Sequence, residues 1–386
     1  NIQKLTTHDL TQYIISQKPD IVGFGGTLTE WPQASQVAAS IKEQSPDICT
    51  VYGGPNASAN PEKHVKYFDF VFRGWAEQSF RNFIIDYSGR DDWETIGGLI
   101  DGLCYQDENG AQHIEPPALN INLDDVKYPA RDIIDIGSYK RVQFRDVCQQ
   151  PTDIVVASRG CPFKCTFCSS KSIWNQKYLT RSVEAVIDEI KMMQRLYGTK
   201  TCHFREDNLV VNKQYLESLC EGLKKLHDET GLQWICQARA DALTRDVIRM
   251  MKSSGCVVVC CGWESANDST LKFIDKGFSF RDVVNTIQLL EEEKLCYSGG
   301  FLVGTLNETE KEIKNTLEFT KKVSQLPHSF VPRGAGRYVS WPISESYREV
   351  IDKDMVEFNW QNGEQLISGT YTLSAAQVEE CIARNW

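Results

Sequence analysis

Ser158-Arg159-Gly160-Cys161-Pro162-Phe163-Lys164-Cys165-Thr166-Phe167-Cys168 follows directly on the apolar run Asp153-Ile154-Val155-Val156-Ala157-Ser158. The run is a β-type segment, so the spacing Cys-x3-Cys-x2-Cys falls on a loop just after a strand. Three thiolates on one tight loop suit three irons of a cubane [4Fe–4S] cluster and leave the fourth iron open, whereas ferredoxin cubanes take four Cys. A structural zinc site needs four ligands, usually as two paired motifs, and no second Cys-x2-Cys pair occurs. A disulfide framework does not suit a long chain without a secretory signal. A reactive cluster held by Cys161, Cys165 and Cys168 is therefore expected, with zinc as the alternative.

Composition limits what surrounds that loop. The chain has 386 residues and a formal net charge of −10, enough length for two or three domains. Nucleic-acid binding asks for a basic stripe; no dense Lys/Arg run occurs, so no nucleic-acid partner is expected. The longest apolar runs, such as Cys256-Val257-Val258-Val259-Cys260-Cys261, are far short of a bilayer span. No signal-peptide pattern is seen, so no membrane association is expected. Of the 14 cysteines, three form the loop and eleven are scattered. Several lie in apolar strands, where a free Cys acts as a small hydrophobe. Cys260 and Cys261 are adjacent on a strand and point to opposite faces, which argues against a shared metal. This usage fits a reducing cytoplasm. The chain opens on Asn1 rather than Met.

Strand and helix alternate through most of the chain. Residues 1–90 read as a doubly wound, Rossmann-like domain: a helix over 9–17, a strand over 20–26, a helix over 32–44, a strand over 48–54, a strand over 70–74 and a helix over 77–87. Residues 91–150 read as a connector, with a small hairpin from Gly97-Gly98-Leu99-Ile100 and Gly102-Leu103-Cys104-Tyr105 around Glu108-Asn109-Gly110. Residues 151–340 read as six β/α units, with strands at 153–158, 201–206, 233–240, 256–263, 296–304 and 329–340, helices between them, and Gly198, Gly231 and Gly255 at helix ends. That makes a partial (β/α)6 barrel rather than a closed one of eight units. Residues 341–386 read as a small helical or irregular extension.

The cysteine loop resembles the signature of the radical S-adenosylmethionine (SAM) superfamily, and so do the strand ends after it. Gly262-Trp263-Glu264-Ser265, with Leu271 and Lys276-Gly277 downstream, is similar to that superfamily's G-x-E-S stretch; Gly304-Thr305-Leu306-Asn307-Glu308-Thr309 is similar to its G-x-P-x-E-T turn, with Leu306 in place of Pro. The resemblance covers about residues 150–340 and implies that the open iron chelates the amino and carboxylate groups of SAM. It further implies that Phe167, Val303 and Gly304 lie near adenine, that Glu206 and Asp207 take the amino group, that Arg239 pairs with the carboxylate, and that Glu264, with Ser265 beside it, takes the ribose hydroxyls. The glycines usual before Glu206 are missing, a solvated acidic turn remains open for Glu206 and Asp207, and a structural ion pair remains open for Arg239.

The amino-terminal half is similar to the cobalamin-binding branch of the same superfamily. The matching pieces are Pro19-Asp20-Ile21-Val22-Gly23-Phe24 with Thr27 and Thr29, Gly53-Gly54-Pro55-Asn56-Ala57-Ser58, Arg73-Gly74-Trp75-Ala76-Glu77, and the linker Tyr128-Pro129-Ala130-Arg131-Asp132. The resemblance implies that Thr27, Thr29, Gly53, Gly54, Pro55 and Gly74 hold cobalamin. It also implies another strand–helix–strand unit ahead of Asn1, so the domain is read as lacking its first strands. No D-x-H-x-x-G motif occurs, so nothing marks a lower-face His ligand, and His8 and His64 stand outside the glycine-rich strand ends. A vestigial domain that only docks on the barrel is the alternative.

The resemblance implies a cytoplasmic enzyme that uses a [4Fe–4S] cluster, SAM and cobalamin. It would cleave SAM to a 5′-deoxyadenosyl radical and methylate an unactivated carbon of a small molecule, with a one-electron reductant such as flavodoxin or ferredoxin. A radical rearrangement, dehydration or other SAM-derived group transfer, and a non-catalytic iron–sulfur or zinc protein, are the alternatives. No catalytic residue is assigned; Arg333, Arg337, Tyr338 and Trp341 are candidate substrate contacts.

Overall fold

Runs of buried β-branched and aromatic residues set the strands of the amino-terminal unit. A computed structural model describes residues 5–28, 30–87, 100–139, 141–341, 343–353, 355–360 and 365–385. They divide into two units, one mainly up to Asn122 and one mainly from Leu123 onward. In the first, β1 (Ile21–Gly25), β2 (Cys49–Gly53) and β3 (Phe70–Phe72) are parallel, with Gly25 beside Gly53 at the carboxyl edge. Neighbouring residues of β2 serve opposite cores: Tyr52 packs with Trp31, Phe68 and Val71, and Val51 with Phe70, Phe83 and Leu103. Helices such as Trp31–Gln44 and Ala76–Tyr87 supply those two faces, which is the doubly wound arrangement.

The sheet runs on beyond residue 90. β4 (Leu103–Gln106) pairs antiparallel with β3, and β5 (Gln112–His113) with β4. A connector was expected here, but Leu103 and Cys104 are fully buried, and such apolar surface is stabilised by joining a sheet. The turn Asp107–Gly110 is closed by Gly110 N donating to Asp107 O. The expected strand at Gly97-Gly98-Leu99 lies outside the described residues, and so does Thr29.

In the second unit β6 (Thr152–Val155) is followed by a short ribbon in which β7 (Ser158–Gly160) pairs antiparallel with β8 (Tyr178–Thr180). Then come β9 (Thr201–Phe204), β10 (Gln233–Ala238), β11 (Cys256–Glu264), β12 (Cys296–Val303) and β13 (Gly336–Arg337). These form one six-stranded parallel sheet in the order β13-β12-β11-β10-β9-β6, a curled half-barrel. Strand β13 has two residues where a run over 329–340 was expected, because Pro332 and Gly334 interrupt the run ahead of it.

Helices return between the strands, and their ends follow local chemistry. Ser182 caps Val183–Tyr197 through the Ala185 amide, and Gly198 closes it in the left-handed conformation; Asn212 and Gly231 do the same for Lys213–Thr230. One face of the sheet packs on these helices through Phe204, Trp234, Val259, Trp263, Tyr297 and Phe301. The carboxyl-terminal extension adds the helices Glu345–Asp352 and Ala375–Asn385, and a pair of strands, β14 (Val356–Trp360) and β15 (Gln365–Ser368), that were not expected.

Candidate functional site

The cysteine loop leaves the half-barrel after β7 and is tied down by its own backbone. Thr166 N donates to Ile274 O (3.0 Å), Ser346 N to Thr166 O (3.2 Å) and Cys168 N to Cys165 O (3.1 Å). Cys165 is buried, and Cys161 and Cys168 are half-buried. Burial raises the Cys161 and Cys168 thiols, and Asp207 and the neighbouring loop cysteines add to the rise. The loop thiols and Asp207 thus stand within electrostatic reach of one another. Among the described residues no such group encloses a single metal ion. A cubane does not ask for that, since each thiolate binds a different iron; three thiols on one anchored loop are the donor set it does ask for.

Beside this loop lies a buried ion pair. Lys276 Nζ donates to Glu264 Oε1 at 2.8 Å, with the two side chains 8% and 12% exposed. Burial alone lowers the Lys276 pKa, but the Glu264 carboxylate and the nearby Cys165 outweigh it and the net shift is upward. The ammonium also lies 5.8 Å from the centre of the Phe167 ring and 5.6 Å from that of Phe278. Glu264 holds φ +64°, uncommon for a residue with a side chain, at an irregularity in the β11–β12 pairing. Gly262 makes room for the pair: a Cβ there would collide with Glu264 Oε1 and meet Lys276 Nζ at 3.1 Å. Cys165, Phe167, Glu264 and Lys276 are therefore one neighbourhood. The Lys276-Gly277 dipeptide was part of the motif, but nothing in the spacing shows Lys276 reaching back twelve residues to Glu264.

Other expected SAM contacts are placed differently. Arg239 is buried; its Nε and Nη2 hold the two Asp241 oxygens at 3.0 and 3.1 Å, and Nη2 also donates to Lys276 O. Its guanidinium carbon sits 3.7 Å from the centre of the Phe163 ring, so Arg239 braces the cysteine loop and its structural pair with Asp241 is formed. Ser265 is fully buried just past the end of β11 and bound to Thr316 Oγ1 and Asn267. Glu206 is buried, accepts the Ala157 amide through Oε1, and is pushed up to about 7 by burial; Asp207 is exposed. Val303 is in the core, and Gly304 uses its amide on Glu308 and its carbonyl on Arg337. Arg337 further binds Ser368 O and Glu379, Tyr338 is buried, and Arg333 and Trp341 are exposed.

Glu308 was not singled out. It is fully buried and closes the turn after β12, accepting from Gly304 N (2.7 Å), Thr305 N (3.1 Å) and Thr270 Oγ1 (3.3 Å). Burial pushes it up to about 7 from 4.5. Stability tied to the neutral acid is present below pH 4.5 and is lost as pH rises through 7, by up to about 3 kcal/mol. Urea unfolding from pH 5 to 8 should show the wild type losing stability relative to Glu308→Gln as pH rises. A gap between the two that does not change with pH contradicts this.

In the first unit, Gly25 and Gly53 end neighbouring parallel strands, where open α/β sheets take ligands. A Cβ on Gly53 would meet nothing within 4 Å, which leaves the open backbone surface a nucleotide tail needs. Gly54 has φ +101° and its Cβ would meet Gly26 O at 3.1 Å, and a Cβ on Gly74 would strike Ala118; both are glycine for the protein's own packing. Thr27 binds Glu30 through its amide and hydroxyl, and Pro55 opens the helix Pro55–Ala59. His64 is buried, 4.8 Å between ring centres from both Trp31 and Tyr52, and burial lowers it to about 4; His8 is exposed.

Comparison with known proteins agrees with this geometry. Residues 155–320 match the model of the radical SAM superfamily and residues 2–84 that of the B12 binding domain. An uncharacterized methyltransferase of Pyrococcus horikoshii is 31% identical over 83% of this chain and 68% of its own. An anaerobic magnesium-protoporphyrin IX monomethyl ester cyclase of Rubrivivax gelatinosus is 26% identical over 90% of this chain and 61% of its own. The solved structure of the cobalamin-dependent SAM radical enzyme OxsB, with aqua-cobalamin and SAM bound, superposes with a TM-score of 0.80 at 16% identity, over 98% of this chain and 60% of that one, a likeness of fold. The chain belongs to the radical SAM superfamily, in its cobalamin-binding branch. Its cofactors are a [4Fe–4S] cluster, SAM and cobalamin, and enzymes of this kind act on small molecules with a reductant. Among the described residues no helix is long and apolar enough to cross a membrane.

Proposed function

We propose that the protein is a cobalamin-dependent radical SAM methyltransferase of a small metabolite, working in the cytoplasm with a low-potential donor such as flavodoxin or ferredoxin and without nucleic acid or membrane. The observation that carries this is the Glu264–Lys276 pair standing against the anchored cysteine loop at the carboxyl edge of a parallel sheet. When bound, the cluster supplies the electron that cleaves SAM, and cobalamin supplies a transferable methyl group. Cys161, Cys165 and Cys168 are the cluster ligands in this reading. Glu264 accepts the ribose hydroxyls, Lys276 holds that carboxylate in place, and Phe167 covers the adenine side. Gly53 and its neighbours take the cobalamin tail.

The P. horikoshii relative is called a methyltransferase, which supports methyl transfer; the R. gelatinosus cyclase favours a second reading, radical chemistry without it. Anaerobic reaction with SAM deuterated in its methyl group separates them. Label in a product together with S-adenosylhomocysteine supports methyl transfer, whereas 5′-deoxyadenosine without either supports the second reading. For the cobalamin site, Gly53→Val should lower cobalamin affinity by at least roughly tenfold with the melting temperature unchanged, because the new side chain enters open space. Equal titration curves for variant and wild type overturn that assignment.

A further inference from the structure

The face of the half-barrel turned away from the helices carries a row of polar residues that the reading above assigns to no cofactor. Arg205 N continues the ladder onto Val155 O at 3.2 Å, so Arg205 lies on the same face as His203. His203 pairs in register with Ile235, which puts Gln237 next to Arg205; Gln237 pairs with Cys260, and Cys260 with Ser298. One row across four strands therefore reads Arg205, Gln237, Cys260, Ser298. Burial lowers the pKa of His203 and Arg205 adds to that, while Arg205 opposes the burial-driven rise at Cys260, so its charge reaches both.

Beneath this row the face is closed. His203 bonds Gln143, and Ile235 and Val258 pack with Cys148 and Phe144. Above it Gly300 of β12 is bare, since a Cβ there would meet nothing within 4 Å, while the space over its register partner Gly262 is taken by the Glu264–Lys276 pair. Past the irregularity in β11 the Glu264 carboxylate reaches back over Gly262. A floor, a polar row and the open space at Gly300 thus lie in that order toward the Glu264–Lys276 pair.

Two groups in the row have no partner. Arg205 is exposed and forms no ion pair or side-chain hydrogen bond among the described residues, and the half-buried Gln237 amide forms none either. Glu206, the acid next to Arg205, is turned to the Ala157 amide. A guanidinium presents paired donors that match an oxyanion, and a primary amide adds a third.

We propose that this row is the substrate-orienting site, and that Arg205 and Gln237 bind a carboxylate or phosphonate of an acidic small molecule whose remaining part fills the open space beside Gly300. Calling that molecule the substrate rests on the SAM-cleaving reading above; the oxyanion site itself does not.

The probes are benzoate, phenylphosphonate and benzamide, followed by saturation-transfer NMR on the reconstituted holoenzyme. At least one acid should bind roughly tenfold or more tightly than benzamide, and the stronger of the two tells carboxylate from phosphonate. Arg205→Gln should weaken that acid by roughly 10- to 100-fold, with Arg205→Lys in between and benzamide unaffected. If Arg205→Gln does not fold, Gln237→Leu should weaken the acid by a few-fold. Equal binding of acids and amide by the wild type, or acid binding indifferent to both positions, overturns the proposal. 5′-Deoxyadenosine release by the wild type is measured alongside; its absence counts against the enzymatic reading and leaves the oxyanion result intact.

Discussion

Replacing Cys161, Cys165 and Cys168 together with Ala should remove all cubane iron and bring 5′-deoxyadenosine formation to background, while the protein stays folded. The loop does not depend on its thiols for shape: Thr166 is held by Ile274 and Ser346 through backbone hydrogen bonds, and Phe163 lies on the buried Arg239 guanidinium. The other cysteines do not substitute for them. Cys202, Cys220 and Cys236 are buried in strands or a helix as part of the apolar core. Iron analysis and electron paramagnetic resonance of the reconstituted triple variant check this. A retained [4Fe–4S] signal would show that the ligands lie elsewhere.

Lys276→Met should be the most damaging single change outside the loop. Both members of its pair are nearly buried, and removing one partner leaves an uncompensated carboxylate, at a cost of about 3–5 kcal/mol. Adding Glu264→Gln should recover most of that stability, because the second buried charge is then gone as well. SAM affinity should not recover with it. Loss of a charged hydrogen bond is worth about 1.5–3 kcal/mol, so calorimetry should show SAM binding roughly 10- to 100-fold weaker in the double variant. Full SAM affinity in the stable double variant contradicts the ribose role of Glu264. Unchanged stability in Lys276→Met contradicts the pair itself.

These two cases show what a sequence does and does not disclose. The parallel sheet was legible because its strands are short apolar runs punctuated by Gly198, Gly231 and similar helix stops. The cysteine loop was legible because its three cysteines are local in sequence. Glu264 was legible from its place at a strand end. Its partner was not, since Lys276 returns to it only after the short helix Asp268–Phe273. Ser265 lies in the same motif, but a motif does not say which of its side chains is buried, and the Ser265 hydroxyl is sealed against Thr316. Arg239 was open between a ligand and a structural pair, and only the packing against Phe163 and Asp241 distinguishes them. Gly53, Gly54 and Gly74 look alike in sequence; Gly53 alone of the three faces open space. The antiparallel addition of Leu103–Gln106 depends on a long-range edge pairing that local pattern does not encode.

The most direct test of the central claim is 5′-deoxyadenosine, measured by liquid chromatography after anaerobic reduction of the iron- and sulfide-reconstituted wild-type protein with dithionite in the presence of SAM. The expected result is at least one equivalent per cluster, and none in the triple cysteine variant. Intact SAM beside a fully loaded, reducible cluster would contradict it.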